Sequence, residues 1–165
     1  VLKDLDADGF DFIVCDSPAG IEKGAFLAMY YADRAVVVVN PEVSSVRDSD
    51  RILGLLSSKT KKAEDGGRII EHLLLTRYNP ARVEKQEMLS IADVEEILGL
   101  KVVGVIPEAP EVLQSSNLGN PVILNEESDA GQAYTDAVAR ILGEDRPMRF
   151  TSVEKKSFFS KIFGG

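Results

Sequence analysis

The sequence has one cysteine, one histidine and no tryptophan in 165 residues. A lone cysteine, Cys15, excludes an internal disulfide and fits a reducing compartment. His72 has no second histidine to share a metal with, so a zinc site of the His/Cys type is excluded. No run of eighteen apolar residues occurs, so no segment has the length of a spanning helix. Positive charge is also scarce: 19 Lys and Arg stand against 27 Asp and Glu, a net charge of −8. With a pI near 4.7, the chain has no general nucleic-acid surface. A starting methionine and a signal-peptide pattern are absent too. Val1-Leu2-Lys3 reads as the end of a helix already under way, and the expectation is a C-terminal piece of a longer protein.

Hydrophobic content is 44% and charged content 28%, the balance of a globular protein with a real core. Apolar runs alternate with amphipathic ones. Phe10–Cys15 reads as a buried strand and Glu22–Tyr31 as a helix. Ala35–Asn40 reads as a strand covered on both faces, because it is β-branched without polar alternation. Val46–Ser58 is a helix, and Lys59–Gly67 a charged surface loop. Glu71–Thr76 is a strand, and Ile91–Leu98 a helix stopped by Gly99. Lys101–Ile106 is a fourth strand ended by Pro107, and Ser128–Leu142 a helix capped by Ser128 or Asp129. This order predicts an α/β fold: a mostly parallel sheet with helices on both faces.

The last sixteen residues, Phe150–Gly165, form a different kind of segment. At about 100° per residue, Phe158, Phe159, Ile162 and Phe163 gather on one helical face. Lys156 and Lys161 lie on the other, with Lys155 at the entry to the apolar arc, where a long stem can bend to water. Such a helix either docks on its own domain or lies in a membrane interface. Three features favour the membrane. A hinge at Gly143 and Pro147 precedes it, three of the seven phenylalanines are concentrated in six of its residues, and it is basic in an acidic chain. Four buried apolar side chains at about 1.5–3 kcal/mol each set a ceiling of roughly 6–12 kcal/mol. Partial insertion and ordering of the tail remove much of that. One tail therefore binds weakly, and two on a dimer gain avidity of about 10²–10⁴-fold.

Ligands of parallel α/β sheets bind at the carboxyl ends of the strands. The first expected strand ends in Asp16-Ser17-Pro18-Ala19-Gly20. Asp16 can hold Mg²⁺ through water, and Gly20 offers a bare N–H to a phosphate; a helix cap and turn is the structural alternative. The second ends in Asn40-Pro41-Glu42, followed by Arg47, Asp48, Asp50 and Arg51. That cluster is either a helix start suited to the dipole or a polar surface meeting another subunit. Thr76-Arg77-Tyr78-Asn79-Pro80 and Ile106-Pro107-Glu108 are candidate walls of a base pocket.

The strings CDSPAG, NPEVSSVRDSDRILGLL, EHLLLTRYNPARV, VVGVIPE, SNLGNPVI and the ending KIFGG resemble the deviant Walker A (ParA/MinD) ATPase family, across essentially the whole chain. The resemblance implies a P-loop NTPase fold of the SIMIBI type, incomplete at its N-terminus, over residues 1–145. A hinge and membrane-targeting helix occupy 146–165. It implies binding of ATP and Mg²⁺, ATP-dependent homodimerisation, recruitment of the division inhibitor MinC and stimulation by MinE. The location implied is cytoplasmic and peripheral on the inner membrane, held by anionic lipid. By the same resemblance Asp16 and Gly20 match the switch II Asp and Gly, with Asp16 carrying Mg²⁺ through water. Asp48 and Asp50 match the dimer and partner surface, and Thr76, Arg77, Pro107 and Glu108 lie near the adenine.

The sequence departs from the family in two ways. The Gly-rich phosphate loop with its lysines and the switch I region are missing, so nothing cradles the β- and γ-phosphates. This stretch alone is expected neither to bind ATP well nor to hydrolyse it, and to be poorly soluble. Ala109 stands where the family pattern has Asp after Ile-Pro-Glu; Glu108 or Glu111 is an available substitute. Two other functions share the fold: a DNA-partition ATPase, disfavoured by the pI and the apolar tail, and a non-catalytic scaffold.

Overall fold

The computed structural model describes residues 2–18, 20 and 22–152. The tail residues Lys155, Lys156, Phe158, Phe159, Lys161, Ile162 and Phe163 lie outside them. Among the described residues are eight α-helices and three strands. The helices are α1 (Leu2–Ala7), α2 (Lys23–Tyr30), α3 (Val43–Lys59), α4 (Lys61–Glu64), α5 (Pro80–Glu84), α6 (Ile91–Leu98), α7 (Pro110–Asn117) and α8 (Asp129–Ile141). The strands are β1 (Arg34–Val39), β2 (Ile70–Tyr78) and β3 (Val102–Pro107), in the sheet order β1-β2-β3, and β2 runs parallel to β3. The architecture is the expected α/β class.

The chain divides into two units, residues 1–35 with 50–70, and residues 36–49 with 71–165. In the first, Tyr30 stacks edge-on with Tyr31 and donates to Glu64 at 2.7 Å. Lys62 pairs with Asp33 at 2.7 Å. The second holds the main core: Leu74, Ile106, Val122, Ala130, Ala133 and Ala137, with Ala109, Val112, Tyr134 and Phe150 packed against it. Helix α8 lies directly on β3 because Gly104 has no side chain. A Cβ there would come within 2.5 Å of the Ala137 methyl and 2.8 Å of Leu74 Cδ1. Small residues at 130, 133 and 137 on α8 allow that approach.

Local signals set the helix ends. Ser90 and Asp93 form a reciprocal capping box on α6, and Gly99 closes it at φ +65°, the left-handed conformation that glycine adopts without penalty. Ser128 caps α8 by accepting from the Gly131 N–H. Asn79 caps α5 by accepting from Ala81 and Arg82 N–H.

Several expectations are corrected. Phe10–Cys15 is not a strand: it has no regular structure and every residue is exposed. No strand lies beside it among the described residues, and a strand without a partner cannot satisfy its backbone. Cys15, expected to be buried, is therefore exposed. There are three strands, not four, among the described residues. β1 is covered on one face only. Val37 and Val39 are buried, whereas Val36 and Val38 are 44% and 57% exposed. The charged loop 59–67 contains the one-turn helix α4, nucleated by Thr60, whose hydroxyl accepts from the Ala63 N–H. Helix α3 begins at Val43, three residues earlier than expected, so Ser44 and Ser45 lie within it.

Candidate functional site

The ends of β2 and β3 converge. Tyr78 is in register with Pro107, and the Glu108 N–H donates to the Tyr78 carbonyl at 2.9 Å. The register shifts between Leu75 and Tyr78, and within that bulge Arg77 stands at φ +56°. A non-glycine residue in this region is uncommon and marks places where the fold re-aims a side chain. The result points Arg77 at Glu108: its Nη2 lies 3.8 Å from Oε1, while Asn79 Nδ2 donates to Oε2 at 3.2 Å. Both oxygens of Glu108 are thus engaged. The pair is solvent-exposed and adds little stability; it turns the guanidinium toward the residue that follows Pro107.

A second link joins β2 to β1. The Thr76 hydroxyl donates to Asn40 Oδ1 at 3.0 Å, and the Asn40 N–H donates to Ser45 Oγ at 3.2 Å. Thr76 is half-buried, so it acts as a strut holding the strand ends level. Pro41 accepts from the Leu89 N–H at 3.0 Å, and the Asn79 N–H reaches Met88 Sδ at 3.3 Å. These bonds brace an open cleft of about 360 Å³ lined by Pro41, Glu42, Val43, Met88, Leu89 and Asp93, among others. Burial pushes the Tyr78 phenol up; its hydrogen bond with the Ile91 backbone opposes this, and the Asp93 carboxylate adds to it.

Arg77 and Glu108 are therefore brought together, with Pro107 next to Glu108 in the chain, and Thr76 is tied to Asn40 instead. Sequence reasoning missed Asn40 and Asn79 as the groups that position them, although Asn79 before Pro80 is a helix-cap signal. Asp16 and Gly20 belong to the other unit. Asp16 is exposed, and Gly20 has φ +96° with no heavy atom within 4 Å of a Cβ built on it. Asp48 is exposed on the first turns of α3 in the unit that holds the strand ends; Asp50, also exposed, falls in the other. Among the described residues no group of three or more His, Cys, Asp or Glu converges on one point. Ala109 begins α7 without a side-chain cap bond and instead packs on the core.

An exposed guanidinium held by the residue after a proline suits the face of an aromatic heterocycle. The residues present thus fit the base end of a nucleotide. They do not fit its phosphate end, since the sequence has no Gly-rich loop with lysines.

No family model matches the chain. The septum site-determining protein MinD of Escherichia coli K12 is 63% identical over 166 residues, covering 100% of this chain and 62% of the relative. The MinC:MinD cell division complex of Aquifex aeolicus superposes with a TM-score of 0.81 at 39% identity, covering 92% of this chain and 59% of that one. The MinD of Pyrococcus horikoshii complexed with Mg-ADP gives 0.70 at 26% identity, covering 85% and 53%. The chain spans about three fifths of the length of the curated relatives it matches. Across its whole length, this sequence is a homologue of the MinD septum site-determining proteins.

Proposed function

We propose that this chain is the larger part of a Mg-ATP-dependent ATPase that cycles on and off the inner membrane and places the division septum. The observation that carries the reading is the 63% identity to a septum site-determining protein over an alignment that covers the whole chain. The converged strand ends support it. Arg77 and Pro107 flank the adenine, Glu108 holds Arg77 in place, and Thr76 keeps the strand ends aligned. Asp16 holds Mg²⁺ through water, and the Gly20 N–H meets the terminal phosphate. A bound Mg²⁺ supplies charge neutralisation for phosphoryl transfer. The remaining two fifths of the relatives' length supply the phosphate loop.

Asp48 and Asp50 belong to the surface that meets a second copy and a division inhibitor of the MinC kind; that the similar Aquifex aeolicus structure is a MinC:MinD complex supports such a partner. A MinE-like protein stimulates hydrolysis. The basic, phenylalanine-rich tail binds anionic lipid on the cytoplasmic face of the inner membrane. Dimerisation doubles the tails, so lipid attachment follows the nucleotide state.

The test uses the protein at the full length of its relatives. Sedimentation with anionic vesicles should require ATP. Phe159→Glu or Ile162→Glu should abolish it while ATP turnover without vesicles is retained. Undiminished sedimentation of both variants would contradict the reading.

A further inference from the structure

Between the end of α8 and the tail, residues 143–150 are strapped to α8 and β3 by two arginines. Gly143, at φ +96°, closes α8 with a Schellman pair: its N–H donates to the Arg140 carbonyl and that of Glu144 to Ala139, at 3.0 and 2.9 Å. Arg140 then holds the returning chain. It donates to the carbonyls of Arg146 and Pro147 while also donating to Val103 of β3. Further on, the strap holds the helix. Arg149 bonds Asp136 Oδ2 through Nε at 2.7 Å and Nη2 at 2.6 Å, and donates to Gln132 Oε1 at 2.7 Å. Asp136 is 6% exposed. Phe150 completes the strap. Its ring lies 5.4 Å from the Arg149 guanidinium and packs on the core cluster.

A buried carboxylate on a helix facing only its own core would be costly; here it exists to receive Arg149. We propose that the Asp136–Arg149 clamp fixes the departure point of the C-terminal tail and thereby sets how far the tail can reach. The inference rests on the lipid-binding reading of that tail. Phe158 lies eight positions after Phe150 and eleven after Pro147, where Arg140 still holds the chain once the clamp opens. At about 3.3–3.6 Å per residue these spans reach at most about 26–29 Å and about 36–40 Å. A closed clamp therefore shortens the tether by about a quarter. Shorter tethers keep a second tail at higher effective concentration near the lipid, by roughly the 3/2 power of length. Opening the clamp weakens two-tailed attachment about 1.6-fold on that scaling.

Two measurements test this. In this chain, chymotryptic cleavage after Phe150 is followed by mass spectrometry. Asp136→Asn and Arg149→Gln should each speed it on the order of tenfold by releasing the strap. The double variant should add nothing further, since both break one interaction. In the full-length protein, Asp136→Asn should weaken ATP-dependent binding to anionic vesicles about 1.6-fold, with turnover in the absence of vesicles unchanged. Unchanged cleavage in both single variants would overturn the clamp. Faster cleavage with wild-type vesicle affinity would overturn its role in reach. Phe159→Glu in the same vesicle assay separates the two readings: if it binds normally, the tail is not the lipid anchor and the failure lies there.

Discussion

Phe10–Cys15 and Val102–Ile106 are both short apolar runs followed by proline-containing turns, yet only the second is a strand. Val105 and Ile106 are each 2% exposed, whereas Phe12 and Val14 are 67% and 91% exposed. The difference does not lie in hydrophobicity. β3 has β2 to bond with on one side and α8 to cover it; Phe10–Cys15 pairs with no strand among the described residues. Apolarity nominates a strand, and a hydrogen-bonding neighbour makes it one.

The largest effect that sharpens this contrast comes from paired truncations. Leu75→Ala removes a fully buried side chain of β2 and should cost about 2–5 kcal/mol. Val14→Ala should stay within about 0.5 kcal/mol. Urea denaturation checks both, and a comparable loss at Val14 would break the contrast. Hydrogen exchange in the same samples should find amides 11–15 unprotected and those of 103–106 slow.

Helix ends come next. Ser128→Ala should cost about 1 kcal/mol through loss of the α8 cap. Ala109→Asp restores a capping side chain to α7 and should gain up to about 1 kcal/mol, less whatever packing the methyl contributes. Thermal melts of the two variants should therefore move in opposite directions.

The smallest effect is in acid. Burial pushes the Glu95 carboxyl up, but the Lys101 ammonium and the Val102 N–H together hold it below its ordinary value. Hydrogen bonds from the Ser90 side chain and backbone do the same for Asp93. Both bind protons more weakly folded than unfolded. Their contribution is complete above the ordinary carboxylate range near about 4, and fades as pH falls through it toward their lowered values. Melting curves of the parent and Glu95→Gln should differ at neutral pH and converge as the buffer is made more acidic.

These comparisons also show what was legible in the sequence. The α/β order, α6 with its Ser90 and Gly99 ends, α8 with its Ser128 cap, and β2 and β3 follow from local periodicity and capping chemistry, which every residue carries with it. What failed depended on neighbours distant in sequence. No local pattern says whether Phe12 has a strand beside it, or that Val36 and Val38 face outward. Of the candidate site, the residue types at the ends of β2 and β3 were legible, and Arg77 and Glu108 do meet there. Their support was not, because the left-handed bulge at Arg77 and the Thr76–Asn40 strut depend on the pairing of strands. The short helix α7 was missed although Pro110 opens it, since its apolar residues are few.

The open side of β1 has a practical consequence. It is one of the two edge strands of the sheet among the described residues, and it carries the exposed Val36 and Val38. An unguarded edge with greasy flanks is a template onto which another molecule's backbone can zip. Concentrated solutions of this polypeptide should scatter light increasingly with time, and a lysine at position 38 should keep them clear.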